Sequence, residues 1–134
     1  MSSGPTATSA RLLCMQKGGP FEIVQIPRPT LAPDYVLIRQ SVIALNGLDT
    51  KQRDFGILVS RWPHVLGIEG AGVVEAVGAD VKDLSPGDEV TALMAGIAHG
   101  EDWGGSYQEC VVVLACYAAK KPKNISIEEA ASLP

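Results

Sequence analysis

Residues 63–78, PHVLGIEGAGVVEAVG, form the most glycine-rich stretch of this 134-residue chain. A phosphate-binding loop of the Rossmann type needs G-x-G-x-x-G, or alanine at the last position, between a strand and a helix. Gly70 and Gly72 supply the first half of that pattern, but Glu75 occupies the third glycine position. The neighbouring residues are valine and alanine, and the valines favour a strand. We therefore expect these glycines to allow a bend and a close approach of strands, not to bind a phosphate.

Apolar segments separated by turn residues lie on both sides of this stretch. Residues 11–16 and 21–26 flank Lys17-Gly18-Gly19-Pro20, which predicts a β-hairpin. Residues 35–45 predict one long strand, and the polar segment that follows predicts one or two helical turns. Further strands are predicted at GAGVVEAVG, at DEVTALM and within SYQECVVVLACYAAK, where there are one or two. The spacing of Ser126 and Glu129 predicts the capping box of a short helix.

This order of elements predicts a mainly β fold. About seven short strands and two small helices, with no strand-helix-strand unit, favour an antiparallel barrel or a folded pair of sheets. A Rossmann fold needs regular alternation of strands and helices, which is missing. Residues 1–10 are small and polar and predict a disordered tail, so residues 11–134 are expected to form one domain.

Composition excludes several classes of function. The formal net charge is −4, and the one cluster of basic residues, Lys120, Lys121 and Lys123, predicts a solvated surface and no nucleic-acid partner. The longest apolar run, residues 110–119, is about half of a membrane-spanning helix, so no membrane association is expected. The chain start lacks the pattern of a signal peptide. Cys14, Cys110 and Cys116 have no metal-binding spacing and are expected to be buried, reduced thiols in a cytoplasmic protein.

Four segments resemble one known family. GIEGAGVVEAVGADVKDLSPGDEV is similar to the G-H-E-x-x-G-x-V-x-x-V-G…G-D-x-V signature of the medium-chain dehydrogenase/reductase superfamily. SVIALNGLD resembles the strand that leads into its catalytic loop, WGGSYQECVVV its G-G-x-[YF]-A-E-[YF] strand, and KPKNISIEEAASLP its P-x-x-[LI]-x-x-x-x-A-A-x-[LI]-P stretch. The resemblance covers about residues 11–134. It implies a GroES-like catalytic domain, which is a distorted antiparallel β-barrel.

The resemblance also predicts that no metal is bound. Zinc alcohol dehydrogenases carry a cysteine at the start of the catalytic loop and a histidine in G-H-E, and here those positions are Asn46 and Ile68. Glu69 with the distant His64 and His99 does not make a four-ligand set. Three scattered cysteines cannot form the family's four-cysteine zinc lobe. No zinc is therefore expected.

Asn46 to Asp49 resembles the A-x-N-P-x-D loop of the zinc-independent quinone oxidoreductases and enoyl reductases, with Gly47 in place of proline. Lys51 completes a D-x-K pattern that looks like the trans-acting enoyl reductases of fungal polyketide synthases. In that branch NADPH donates hydride to an activated C=C bond, and an acid or an ordered water returns the proton. The resemblance implies that Asn46 contacts the nicotinamide ribose, Asp49 holds the loop, and Lys51 binds or protonates the substrate.

Each of these three residues also has a purely structural interpretation. Asn46 with Gly47 is a good turn pair, Asp49 is a suitable helix N-cap, and Lys51 is a typical solvated helix residue. The tyrosine that some enoyl reductases place several residues after the aspartate is missing, since Phe55 and Ile57 occupy that region. The proton donor is therefore left open.

The last expectations concern what lies beyond this domain. The family's nucleotide-binding Rossmann domain follows the stretch that here ends at Pro134, so we expect that domain to be absent and NADPH to bind weakly or not at all. One hypothesis is the catalytic-domain portion of an NADPH-dependent reductase that acts on a small-molecule substrate, with a polyketide synthase or a missing Rossmann domain as its partner. The alternative is a stand-alone domain with a non-redox role, such as an isomerase or cyclase on a polyketide-like ligand, or a partner-binding module. An apolar surface is expected to cause self-association and to include these residues: Val111, Val113, Ala130, Ala131 and Leu133.

Overall fold

A computed structural model of the chain describes residues 8–94 and 105–134. Within these residues there are seven strands, two α-helices and one short 3-10 helix. The strands are β1 (Thr8–Cys14), β2 (Phe21–Pro27), β3 (Tyr35–Ala44), β4 (Glu69–Val77), β5 (Glu89–Leu93), β6 (Cys110–Leu114) and β7 (Ala118–Lys120). The helices are α1 (Gly47–Phe55) and α2 (Ile127–Ala131), and the 3-10 helix is Ala115–Tyr117. The predicted mainly β class with two short helices is confirmed.

The strands form two antiparallel sheets. The larger sheet has five strands in the order β6-β3-β4-β5-β7, and β1 pairs with β2 in the predicted hairpin. Isolated bridges join β1 to the chain segments before β6 and β4, from Arg11 to Gln108 and from Cys14 to His64. Within the described residues the architecture is thus a folded pair of sheets, because β1 forms no continuous ladder with the larger sheet and only bridges the segments that lead into β4 and β6.

The main core lies on one face of the five-stranded sheet. It is made of apolar side chains from four strands of that sheet together with Leu84 before β5 and Met94 after it: Val36, Ile38, Val74, Leu84, Val90, Ala92, Met94, Val111 and Val113. Helix α2 packs on the other face, where Ala130 and Ala131 contact Ala71 and the Thr91 hydroxyl donates to the Ala130 carbonyl at 2.6 Å. The predicted capping box starts this helix, since the Glu129 backbone N–H donates to Ser126 Oγ at 3.1 Å.

The glycines of the opening stretch allow strands to approach closely, as predicted. Gly70 and Gly72 lie inside β4, and no helix follows them. A Cβ on Gly72 would lie closer than 3.0 Å to the backbone of Arg39 on β3. A Cβ on Gly70 would meet the side chain of Gln40 in the same way. The neighbouring strand β3 therefore occupies the space that side chains would take, and no room is left for a phosphate.

Three expectations from the sequence need correction. Strand β1 begins at Thr8, so residues 8–10 belong to the sheet and not to a tail, because Ser9 is buried and its hydroxyl accepts from the Cys110 backbone N–H at 3.3 Å. Residues 1–7 lie outside the described part of the chain. Cys14 and Cys110 are buried and free as expected, but Cys116 is exposed. It lies in the 3-10 helix, which has no buried residue.

The third correction concerns the predicted apolar surface. Val111, Val113, Ala130 and Ala131 are buried against their own chain, and only Leu133 of that set is exposed. The valines alternate into the main core, and the alanines pack on β4. Large exposed apolar side chains occur instead at Ile23, Leu45, Phe55, Leu58 and Leu133. None of the helices in the described ranges is long and apolar enough to cross a membrane.

Candidate functional site

The candidate site lies where β3 ends and α1 begins. Asn46 is the N-cap of α1 in an extended conformation, and Asp49 is the third residue of the helix. The Asp49 carboxylate oxygen Oδ2 accepts from the Asn46 backbone N–H at 3.1 Å. A carboxylate at this position satisfies a backbone donor that the helix leaves unpaired and lies favourably at the positive end of the helix dipole. Asp49 thus holds the loop, and the N-cap is Asn46 and not Asp49.

Tyr107 is the site residue that sequence reasoning missed. Its hydroxyl donates to Asp49 Oδ2 at 3.0 Å, across 58 positions of the chain. The backbone of Tyr107 is fixed on both sides, because its N–H donates to the Leu66 carbonyl at 3.0 Å and its carbonyl accepts from Leu12 at 2.9 Å. The chain segment before β6 therefore carries Tyr107 over the start of α1. It lies in the family-like segment WGGSYQEC, which was the one available signal.

Burial and the neighbouring carboxylate change the acidity of Tyr107. Burial raises the pKa of its phenol first, and the hydrogen bond to Asp49 and the negative charge of Asp49 raise that pKa further. A phenol with a raised pKa keeps its proton at neutral pH. Tyr107 therefore stays a hydrogen-bond donor and is suited to hold Asp49 in place.

Asn46 connects this network to strand β4. Its side-chain amide donates from Nδ2 to Glu69 Oε1 at 2.8 Å. Glu69 is buried at the first position of β4, where it pairs with Ala44, two residues before Asn46. A carboxylate only accepts, so Glu69 fixes which side of the Asn46 amide faces it. Tyr107, Asp49, Asn46 and Glu69 thus form one continuous chain of hydrogen bonds.

A cavity of about 260 Å³ borders this network, and we call it the Asn46 cavity. Its lining is Phe21, Leu45, Asn46, Asp49, Thr50, Arg53, Leu66 and Tyr107. A second cavity of about 460 Å³, the adjacent cavity, shares Leu45 and Tyr107 with it and is otherwise lined by residues 40–43 and 106–109 and by Leu12. Apolar walls with a few converging polar groups are typical of small-molecule sites.

Lys51 is not brought together with the other two predicted site residues. Its side chain is exposed on α1, and it is absent from the lining of the Asn46 cavity. Residues two apart on a helix do not face each other, and the buried polar residues of α1 are Asp49 and Gln52. The structure therefore joins Asn46 and Asp49 in one site and places Lys51 outside it.

A larger cavity of about 750 Å³ lies at the opposite end of β3, beside Asp34 and the exposed Cys116. It contains none of the residues of the hydrogen-bonded network. We therefore assign the candidate site to the smaller Asn46 cavity.

The two positions that correspond to zinc ligands carry other chemistry. Asn46 uses its amide to bind Glu69, and Ile68 is a half-buried hydrocarbon side chain. Across residues 8–94 and 105–134, no group of three or more His, Cys, Asp and Glu side chains is arranged to hold a metal ion. His99 lies outside the described residues. Burial raises the pKa of Cys14 and of Cys110, so both thiols stay protonated.

Comparison with known proteins identifies relatives of this chain. Residues 32–123 match the model of the alcohol dehydrogenase GroES-like domain. The chain is 43% identical over 109 residues to the chloroplastic NADPH-dependent alkenal/one oxidoreductase of Arabidopsis thaliana, with 79% of this chain and 28% of that protein covered. It is 38% identical over 120 residues to a zinc-type alcohol dehydrogenase-like protein of Staphylococcus aureus, with 90% and 34% covered.

Solved structures agree with this match. The quinone oxidoreductase of Pseudomonas syringae pv. Tomato DC3000 superimposes with a TM-score of 0.78 at 32% identity, and 92% of this chain and 36% of that one are covered. The chain thus spans about a third of the length of the relatives it matches.

Proposed function

The chain belongs to the alcohol dehydrogenase GroES-like domain family of the medium-chain dehydrogenase/reductase superfamily, and from this premise we propose that it is the catalytic-domain portion of a zinc-independent, NADPH-dependent enoyl or quinone reductase. The observation that carries the proposal is the bond from Asn46 to Glu69 beside a cavity with apolar walls. An amide replaces a thiolate at the start of the loop, which favours hydride transfer to a polarised C=C bond over zinc-assisted alcohol oxidation. The names of the alkenal/one and quinone oxidoreductases support the same class of substrate.

We propose that the described residues hold only the nicotinamide end of NADPH. Strand β3 occupies the space beside the glycines of β4, so the pyrophosphate cannot bind at Gly70 or Gly72. Asn46 borders the cavity and is proposed to contact the nicotinamide ribose. We therefore propose that this chain by itself binds NADPH weakly.

The chain's own side chains then have separate tasks. When bound, NADPH supplies a hydride to the electron-poor carbon of the substrate. Asp49 and Tyr107 hold the loop that carries Asn46, because both are tied through Oδ2 of the carboxylate. Phe21, Leu45 and Leu66 are proposed to provide apolar contacts to the substrate. Because the Tyr107 hydroxyl already donates to Asp49 Oδ2, we propose that water at the cavity mouth protonates the reduced substrate.

We propose a separate role for Lys51. From its exposed position on α1 it is proposed to bind a substrate group that extends beyond the cavity, as in the polyketide-type substrates suggested by the D-x-K pattern. The variant Lys51→Ala should keep the melting temperature of the parent chain, because it changes a surface residue. Reduced turnover with unchanged stability supports this role, and unchanged turnover shows that Lys51 does not bind the substrate.

Deuterium transfer tests the proposed reaction directly. The chain is incubated with millimolar NADPH deuterated at the transferable position and with a panel of enones and quinones. We expect the label at the β-carbon of reduced enones, with slow turnover. The variant Asn46→Ala should lose most of this activity, whereas the control Asn124→Ala, an exposed asparagine in the turn before α2, should retain it. Formation of an unlabelled isomer or cyclised product would contradict the reductase proposal and support the non-redox alternative.

A further inference from the structure

Strand β2 is open along one side. It pairs with β1 over its whole length, and in residues 8–94 and 105–134 no second strand lies beside it. The outer strands of the larger sheet are shorter, since β6 has five residues and β7 has three. β2 has seven residues, and five of them are exposed. An edge of seven residues is therefore available for a further strand.

The hydrogen bonds of β1 show which backbone groups of β2 point to this open edge. The Leu12 N–H points away from β2, because it donates to the Tyr107 carbonyl at 2.9 Å. Residues that lie opposite each other in an antiparallel ladder direct their backbone groups either both towards or both away from each other. Leu12 lies opposite Ile23. The backbone N–H and C=O groups that point outward are therefore those of alternate residues, namely Phe21, Ile23 and Gln25.

The edge of β2 lacks the features that prevent strands from pairing between molecules. Proteins usually place lysine, proline or a bulge on an exposed edge strand. β2 contains no lysine, its one proline is the last residue, Pro27, and its register with β1 is continuous. The side chains beside the outward backbone groups are apolar and accessible, since Ile23 is 75% exposed and Phe21 is 37% exposed. An accessible edge of this kind favours pairing with a strand of another molecule.

We propose that two copies of this chain associate through β2, as antiparallel neighbours in a four-stranded sheet of order β1-β2-β2-β1. A second copy fits this edge, because a two-fold axis brings each donor of an antiparallel edge opposite an acceptor of the same edge. With Val24 on the axis, Ile23 lies opposite Gln25 of the second copy, and Phe21 lies opposite Pro27 of the second copy. This register uses the whole strand and forms about six backbone hydrogen bonds.

Charge favours a second copy in this register. Glu22 is the one charged residue of β2. With Val24 on the axis, the two Glu22 residues are four positions apart along the strands, about 13 Å, which exceeds the Debye length of about 8 Å at physiological ionic strength. With Ile23 on the axis they would be two positions apart, about 7 Å along the strands, and would repel each other. Arg28 follows β2, so the first register also brings Arg28 of the second copy to the end of the strand that carries Glu22.

Hydrogen exchange at two concentrations tests the pairing. One strand pair buries less than the roughly 1,200–2,000 Å² of a stable interface, so we expect a weak dimer, with a dissociation constant of about 10⁻⁴ M by sedimentation velocity. In NMR measurements, the amides of Phe21, Ile23 and Gln25 should exchange about threefold more slowly at about 1 mM than at about 30 µM, by mass action. The amides of Glu22 and Val24 face β1 and should be protected equally at both concentrations. A chain that stays monomeric at about 1 mM, or a dimer without this alternating protection, overturns the proposal.

A charge exchange tests the register. Ile23→Lys places two ammonium groups near the axis and should weaken the dimer about tenfold or more, without unfolding a chain in which this side chain is exposed. Adding Gln25→Glu should restore the parent dissociation constant to within about threefold, because position 23 then faces a carboxylate at position 25 of the second copy.

The control Leu58→Lys adds the same charge at a residue that is 62% exposed and lies outside β2, and it should leave the dissociation constant unchanged. Melting curves check that every variant is folded. A folded Ile23→Lys protein that dimerises like the parent, or a double variant that dimerises no better than Ile23→Lys alone, overturns the proposal. If Ile23→Lys does not fold, the exchange pattern of the parent chain decides. Neither experiment uses NADPH or a substrate, so the outcome is independent of the proposed reductase activity.

Discussion

The variant Tyr107→Phe removes one hydroxyl from the hydrogen-bonded network and leaves the ring in place. Asp49 is buried, so its Oδ2 then loses one of two donors and keeps only the Asn46 backbone N–H. A hydrogen bond to a charged group contributes about 1.5–3 kcal/mol. Because Tyr107 is only half-buried and borders a cavity that water can enter, we expect the low end, about 1.5 kcal/mol. For a chain of this size that loss lowers the melting temperature by roughly 5 °C.

A double-mutant cycle shows whether the loss comes from this contact. The cycle combines Tyr107→Phe with Asp49→Asn and measures all four proteins by chemical and thermal unfolding. We expect a coupling free energy of about 1 kcal/mol, because a neutral amide accepts more weakly than a carboxylate. A Tyr107→Phe protein that melts within about 1 °C of the parent, or a coupling free energy of zero, would refute this description of the network.

The same variant has a signature at alkaline pH. Burial and Asp49 raise the pKa of Tyr107 in the folded chain above its ordinary value near 10. The folded state then binds this proton more tightly than the unfolded state, so the contribution to stability is complete below about pH 10 and declines above it. Tyr107→Phe should remove that part of the decline. Cys14 and Cys110 also have raised pKa values and contribute an alkaline decline to both proteins, so the difference between the two curves isolates Tyr107.

Four further predictions follow from other parts of the molecule. Gly72→Ala should destabilise the fold by about 3 kcal/mol or more, because its Cβ would meet the backbone of β3, whereas Gly47→Ala, which meets no atom within 4 Å, should be neutral or stabilising by calorimetry. Elemental analysis after a chelator wash should find no stoichiometric zinc, and about one zinc per chain would contradict the reading of Asn46 and Ile68. Calorimetric titration should give an NADPH dissociation constant in the millimolar range at best, roughly −4 kcal/mol, and micromolar affinity would mean that the described residues are not the whole cofactor site. Light scattering should detect self-association through exposed apolar side chains such as Leu45 and Leu133, and a monodisperse monomer at high concentration would count against it.

Local pattern was sufficient for the elements of this fold. The hairpin, the long strand β3, the strand nature of the glycine-rich stretch and the capping box at Ser126 each depend on residues within a few positions of one another. Alternation of side chains and turn chemistry act over that same short range, which is why they can be read without knowing the fold. The motifs then identified the family, and the match of residues 32–123 confirms it.

Burial was harder to predict, because it depends on what covers a residue. Val111 and Val113 read as apolar in any context, and only the pairing of β6 with β3 shows that they enter the main core. The sequence predicts the same burial for Cys116 as for the other two cysteines. Cys116 is exposed because it lies in a 3-10 helix that has no buried residue.

The candidate site shows the same division. Asn46 and Asp49 are three residues apart, and the family-like loop pattern that contains them assigned both to one site from the sequence by itself. The sequence offered Asp49 as the helix N-cap, and the structure shows that the N-cap is Asn46, with Asp49 Oδ2 accepting from its backbone N–H. Tyr107 reaches Asp49 from 58 positions away, and Glu69 reaches Asn46 from 23 positions away, because strand pairing brings those segments to the end of β3. No periodicity in the chain encodes a contact between segments so far apart. Only the tertiary structure decided that Tyr107 belongs to the site and that Lys51 lies outside its cavity, since the direction of a side chain depends on how the whole helix packs.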